Sequence, residues 1–196
     1  MNDKTYLRSL LEYNAWANAE LFEAVRQMPP EEVTKKRKTG LESIHLSLNH
    51  LLVVDRIWHA HMQGRDHGIK DRRARLYDDL DELWEVRQEM DRMLLDYLDS
   101  LNEATLEEIV DYELIGGNTG SLSRAMCLTH LATHGSYHRG WISDMFGQAE
   151  RDAYRFLPIG RDDAPMAPDP AREGFPHQVY GVTLKDMAGG KGLAGA

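Results

Sequence analysis

Cysteine is nearly absent from this chain. Cys127 stands alone among 196 residues, so no disulfide can form within it, and a lone thiol suits a reducing compartment. Long apolar runs are missing too. No stretch approaches the roughly 18–20 residues that a membrane-spanning helix needs. The opening Met1-Asn2-Asp3-Lys4 lacks the charged-then-apolar pattern of a secretory signal. The expectation is a cytoplasmic protein with no membrane partner. Basic charge is also scarce, with 23 Lys and Arg against 32 Asp and Glu, a formal net charge of −9. That field repels a phosphate backbone, and the short basic clusters at residues 35–38 and 72–75 read as solvated loops, so nucleic acid is not expected as a partner.

What the chain does have is helical periodicity. Over residues 3–28, Tyr6, Leu10, Tyr13, Ala17, Leu21, Val25 and Met28 recur at steps of three and four, one apolar stripe that Pro29-Pro30 ends. A second helix is expected over residues 41–62, with Ile44, Leu48, Leu51, Val54 and Trp58 inward and Gly64 near its end. A third begins near Asp78 as N-cap and runs through Leu83, Met90, Leu94, Tyr97 and Leu101. Val110, Tyr112 and Leu114 then alternate with Asp111 and Glu113, a short strand closed by a Gly-Asn-rich turn at 116–120. A fourth helix is expected over residues 121–146, with Gly147 after it. The fold class is therefore all-α. The expected architecture is a four-helix bundle over residues 1–148, with a short β-hairpin or extended segment before the last helix.

Residues 149–196 change character. Five of the seven prolines fall between positions 158 and 176, and the last eight residues include four glycines. Such a segment cannot build its own core. The expectation is an irregular C-terminal extension lying on its own bundle or on a dimer partner, anchored by Leu157, Ile159, Phe175, Val179 and Tyr180.

The nine histidines are not scattered. His130, His134 and His138 stand at i, i+4 and i+8 of the fourth helix, each about 40° from the last around the axis. Two imidazoles so spaced can reach one metal ion, although core histidines satisfied by local acceptors give the same pattern. The stripe also carries Cys127, Leu131, Trp141 and Met145, so it faces the core, where a protonated imidazole is costly. A third ligand must come from a facing helix. The second helix offers His45, His50, His59 and His61. His50, in mid-helix, is best placed; His59 and His61 are expected to touch solvent, and His45 to be structural or exposed.

Three stretches carry a family likeness: Tyr13-Asn14-Ala15-Trp16-Ala17-Asn18, then Leu48-Asn49-His50-Leu51-Leu52 with Asp55-Arg56-Ile57-Trp58, and above all HLATHGSYHRG at residues 130–140 with Met145-Phe146-Gly147-Gln148. Over about residues 1–150 the chain resembles the DinB/YfiT-like family of metal-dependent proteins. The resemblance implies a four-helix bundle with a three-histidine metal site whose ligands map onto His50, His134 and His138. It also implies homodimers in many members, and kinship with thiol-dependent transferases and a mycothiol-dependent isomerase. One departure stands out: family members commonly carry glutamine after HRG, where this chain has Trp141.

Three neutral nitrogen ligands leave a coordination position open to water or a thiolate, the layout of a catalytic site. Imidazole suits zinc or nickel first, and iron as well. Gly135-Ser136-Tyr137 between the paired histidines supplies no carboxylate, which discounts peptidase chemistry. Arg139 is expected to bridge to an acidic neighbour. Asn14 and Asn18 are weaker candidates for the pocket, and Gly135 and Gly140 are expected to mark close approach of a neighbouring helix or chain. The leading expectation is a metal-dependent transferase or isomerase, less so a hydrolase, acting on a small molecule with the help of a low-molecular-weight thiol. The alternative is a non-catalytic metal-binding or stress-response module whose ion is structural.

Overall fold

A computed structural model describes residues 3–149. Three of the four long helices begin where a side chain can satisfy orphan amides. α1 (Asp3–Arg26) ends ahead of Pro29, and α2 (Pro30–Thr34) uses proline at its first position, where no amide is needed. Ser43 starts α3 (Ile44–Met62) by accepting from the Leu46 amide at 3.1 Å. α4 (Leu80–Ser100) is capped by Asp79, one residue beyond the expected Asp78, which accepts from the Asp81 and Glu82 amides at 2.9 Å. After the one-turn α5 (Glu103–Leu106), β1 (Ile109–Glu113) pairs antiparallel with β2 (Thr119–Ser123), Val110 opposite Leu122. Gly116 and Gly117, both at positive φ, make the turn between them. α6 (Arg124–Gln148) starts three residues later than expected, because Ser123 rather than Ser121 supplies the cap, to Met126 N. Ser121 instead pairs with Asp111 across the hairpin.

The four long helices form a bundle in which α1 and α3 each pack against both α4 and α6. Their inward faces share one apolar core, with Leu21, Leu48, Leu83 and Leu131 fully enclosed. Among the described residues no helix is long and apolar enough to cross a membrane.

Two expectations about faces need correcting. In α1 the buried stripe begins Leu7, Leu11, Asn14, Ala17, Asn18; Tyr6 is exposed, and Leu10 and Tyr13 are only half-buried. The displacement follows from a layer of polar groups inside the bundle. Arg87 of α4 ion-pairs with Asp55 of α3 at 2.6 Å and with Asp91 at 2.8 Å. Asn18 of α1 donates to Asp91 at 3.1 Å, and Arg139 of α6 donates to Asn14 and Asn18 at 2.7 and 2.9 Å. All four helices thus contribute to one network in which two guanidiniums face two carboxylates, which is what makes such burial tolerable. Through Asn18, which donates in turn to Asp91, Arg139 is linked to an acidic neighbour on α4. Arg37, expected in a solvated loop, is buried and pairs with Glu32 at 2.6 Å.

The two helical glycines also differ from each other. A Cβ on Gly135 would collide with Asn14 Oδ1 and come 2.9 Å from Arg139 Nη1, so α1 does approach closely there. Gly140 meets nothing within 4 Å among the described residues. The expected extension beyond residue 149, with its dimer contact, lies outside the described residues.

Candidate metal centre

α3 and α6 pack side by side, and this contact brings together what the sequence keeps 84 residues apart. The ring centroids of His134 and His138, one helical turn from each other, lie 4.4 Å apart. His50 stands 5.2 Å from the first and 4.6 Å from the second. One nitrogen from each ring falls within 4.8 Å of the others, and among the described residues this is the group of histidine, cysteine or acidic side chains that can hold a metal ion.

The nitrogens are prepared for that role. His50 Nδ1 donates to the carbonyl oxygen of Arg72 at 2.7 Å. A carbonyl only accepts, so Nδ1 carries the proton and Nε2 presents a lone pair, the arrangement by which a backbone oxygen fixes a ligand's tautomer and tilt. Nδ1 of His134 and Nδ1 of His138 are buried without a hydrogen-bond partner among the described residues. Orphaned nitrogens of this kind are costly unless something coordinates them. Burial, then the neighbouring His138 and His50, pushes the His134 pKa down to about 2. Burial followed by His50 takes His138 to about 4. His50 is also lowered, chiefly by burial. All three are neutral near pH 7, as metal ligation requires. Three imidazole nitrogens so placed could hold a metal ion.

The triad lies at one wall of an open cavity of about 560 Å³. Trp58, Tyr112 and Leu122 form its apolar side, the Trp58 and Tyr112 rings 4.8 Å apart. His130 lines it too, its ring tilted against Trp58 at 5.0 Å and against His134 at 5.5 Å. Trp141 closes another side, 5.1 Å from His138 and so tight on Gly40 that a Cβ there would fall 2.6 Å from the indole. The indole gives that side of the cavity an apolar surface.

Other candidates lie elsewhere. His45 is buried beside Asn49 and is structural. His59, expected in solvent, is buried 5.4 Å from Tyr97. His61 is half-buried, 5.3 Å from His67. Asn14 and Asn18 hold Arg139 and are not part of the cavity wall. Cys127 is buried away from the cavity, its thiol pushed up to about 11 by burial. Sequence reasoning missed Gly40, Arg72 and Arg73. Gly40 and Arg73 line the cavity from loops without periodicity, and Arg72 acts partly through its main chain, which residue identity does not report.

Known proteins resemble this chain over the residues that form the bundle. The sequence model of the DinB family matches residues 1–152. The chain is 25% identical over 149 residues to Protein DinB of Bacillus subtilis (strain 168), covering 71% of this chain and 84% of that protein.

Proposed function

The chain belongs to the DinB family, and on that premise we propose that His50, His134 and His138 hold one divalent metal ion in an enzyme that joins a low-molecular-weight thiol to, or isomerises with its help, a small molecule. The observation that carries this reading is the placement of three neutral imidazoles at the wall of an open cavity. A structural ion is normally closed in by four protein ligands; three ligands beside free volume match a working site. That favours the enzyme over a non-catalytic metal-binding module. An ion bound there supplies Lewis acidity and lowers the pKa of a water or thiol it coordinates.

The chain's own groups do the rest. The Arg72 carbonyl holds the His50 proton on Nδ1, which keeps the other nitrogen free. Trp58, Tyr112, Leu122 and Trp141 give the reacting region an apolar wall, beside which charge interactions strengthen as the local dielectric falls. Among the described residues no Asp or Glu lines the cavity, which counts against hydrolysis through a carboxylate base. Cys127 does not reach the cavity, so a reacting thiol has to arrive as a co-substrate.

The test is a thiol-conjugation screen with protein purified without an affinity tag and reconstituted with zinc or nickel. Loss of free thiol that requires the metal and disappears in His134→Ala supports the enzyme. Full metal occupancy without turnover of any thiol and electrophile tried would favour the non-catalytic module.

A further inference from the structure

The charge distribution around the cavity is lopsided. Although the chain carries a net charge of −9, no carboxylate among the described residues lines this space. With the imidazoles neutral, the charged side chains that line it among the described residues are Arg72 and Arg73. Neither has an ion-pair partner among the described residues, whereas Arg75 of the same loop pairs with Asp78 at 2.6 Å. Arg73 spends one Nη2 donor on the Gly40 carbonyl, which ties the loop to the Trp141 side of the cavity. The nearby Asp71 carboxylate is turned to the Arg73 backbone amide at 2.8 Å. Most of the guanidinium donors are therefore uncommitted, and both residues are exposed at the mouth. Their position relative to the triad is set by the main chain, because the Arg72 carbonyl is the group that holds His50.

Guanidinium forks match the paired oxygens of a carboxylate or phosphate. Specificity in an apolar cavity usually rests on a few such polar groups. We infer that the cavity takes a small molecule with an apolar body and an anionic oxygen group, the anion gripped by Arg72 and Arg73 and the body laid against Trp58, Tyr112 and the imidazoles. This names the substrate class for the site proposed above and rests on that reading.

Binding can be followed through Trp58 and Trp141, which line the cavity. The probes are 3-phenylpropionate, its uncharged amide and 2-phenylethyl phosphate, titrated into the full chain both metal-free and zinc-loaded, with bound zinc measured in the same samples. The acid is expected to bind roughly tenfold more tightly than the amide in both forms, as charge-assisted hydrogen bonds imply. Arg72→Gln with Arg73→Gln removes that preference, Arg72→Glu with Arg73→Glu inverts it, and Arg75→Gln leaves it intact. The tighter of acid and phosphate identifies the natural anion. Equal affinity for acid and amide, no binding of either, a preference surviving the double glutamine variant, or one seen only with zinc overturns the inference. A preference that persists in protein unable to take up zinc sinks the metal reading and leaves this one standing.

Discussion

His50 Nδ1 and the carbonyl oxygen of Arg72 lie 2.7 Å apart, so a loop between α3 and α4 sets the orientation of a candidate metal ligand carried by α3. The helix supplies the residue and the loop selects its tautomer. Outer hydrogen bonds of this kind typically alter metal affinity by 10–100-fold.

That relationship gives the first prediction. Replacing residues 70–73 with a Gly-Ser sequence of equal length removes the fixed carbonyl while sparing all three imidazoles. Metal affinity, measured by competition with a chelator, is expected to fall by roughly 10–100-fold. Unchanged affinity would show that the carbonyl does not orient His50.

The depressed histidine pKa values make the metal-free protein sensitive to acid. His134 and His138 have folded values of about 2 and about 4, both below the ordinary 6.5. The unfolded chain therefore binds more protons below pH 6.5, and the stability these neutral imidazoles carry is present above that pH. It declines as the pH falls through 6.5 and is lost toward the folded values. Thermal midpoints of metal-free protein should drop from pH 7 to pH 5 by roughly 5 °C. The double variant His134→Gln, His138→Gln should show a shallower slope; an equal slope would place the acid sensitivity elsewhere.

The polar layer predicts a large cost for removing the cation at its centre. Arg87→Met leaves Asp55 and Asp91 buried without their cation and should cost about 3–5 kcal/mol in urea unfolding. An effect below about 1 kcal/mol would mean that water or a rearrangement compensates.

The two helical glycines should respond with opposite signs. Gly135→Ala drives a methyl group into Asn14 and Arg139 and should cost about 1–3 kcal/mol. Gly140→Ala meets nothing nearby and should stabilise α6 by up to about 1 kcal/mol. Equal effects in denaturant titrations would contradict the packing described.

How far the sequence could be read depended on whether side chains obeyed a simple apolar code. α3 was legible almost entirely, because Ile44, Leu48, Leu51, Val54 and Trp58 all turn inward as their spacing implies. The histidine pair in α6 was legible for the same reason, and His50 followed from lying at the middle of a buried helix. The N-terminal half of α1 was misread because Asn14 and Asn18 are buried, and periodicity counts a buried asparagine as a surface residue. The start of α6 was misread because Ser121 and Ser123 are equally good caps in isolation; pairing of β2 with β1 decides between them. Neither the His50 tether nor the arginines at the cavity mouth carry a periodic signal, since both come from an irregular loop placed by tertiary contacts.

The central claim is that three imidazoles hold one ion, and metal stoichiometry tests it most directly. Protein purified without an affinity tag, saturated with zinc and then freed of unbound metal should contain about one equivalent per chain by elemental analysis. His134→Ala should fall to background, while His61→Ala, away from the triad, should keep its ion. Full occupancy in His134→Ala, or no bound metal in the unaltered protein, would contradict the account.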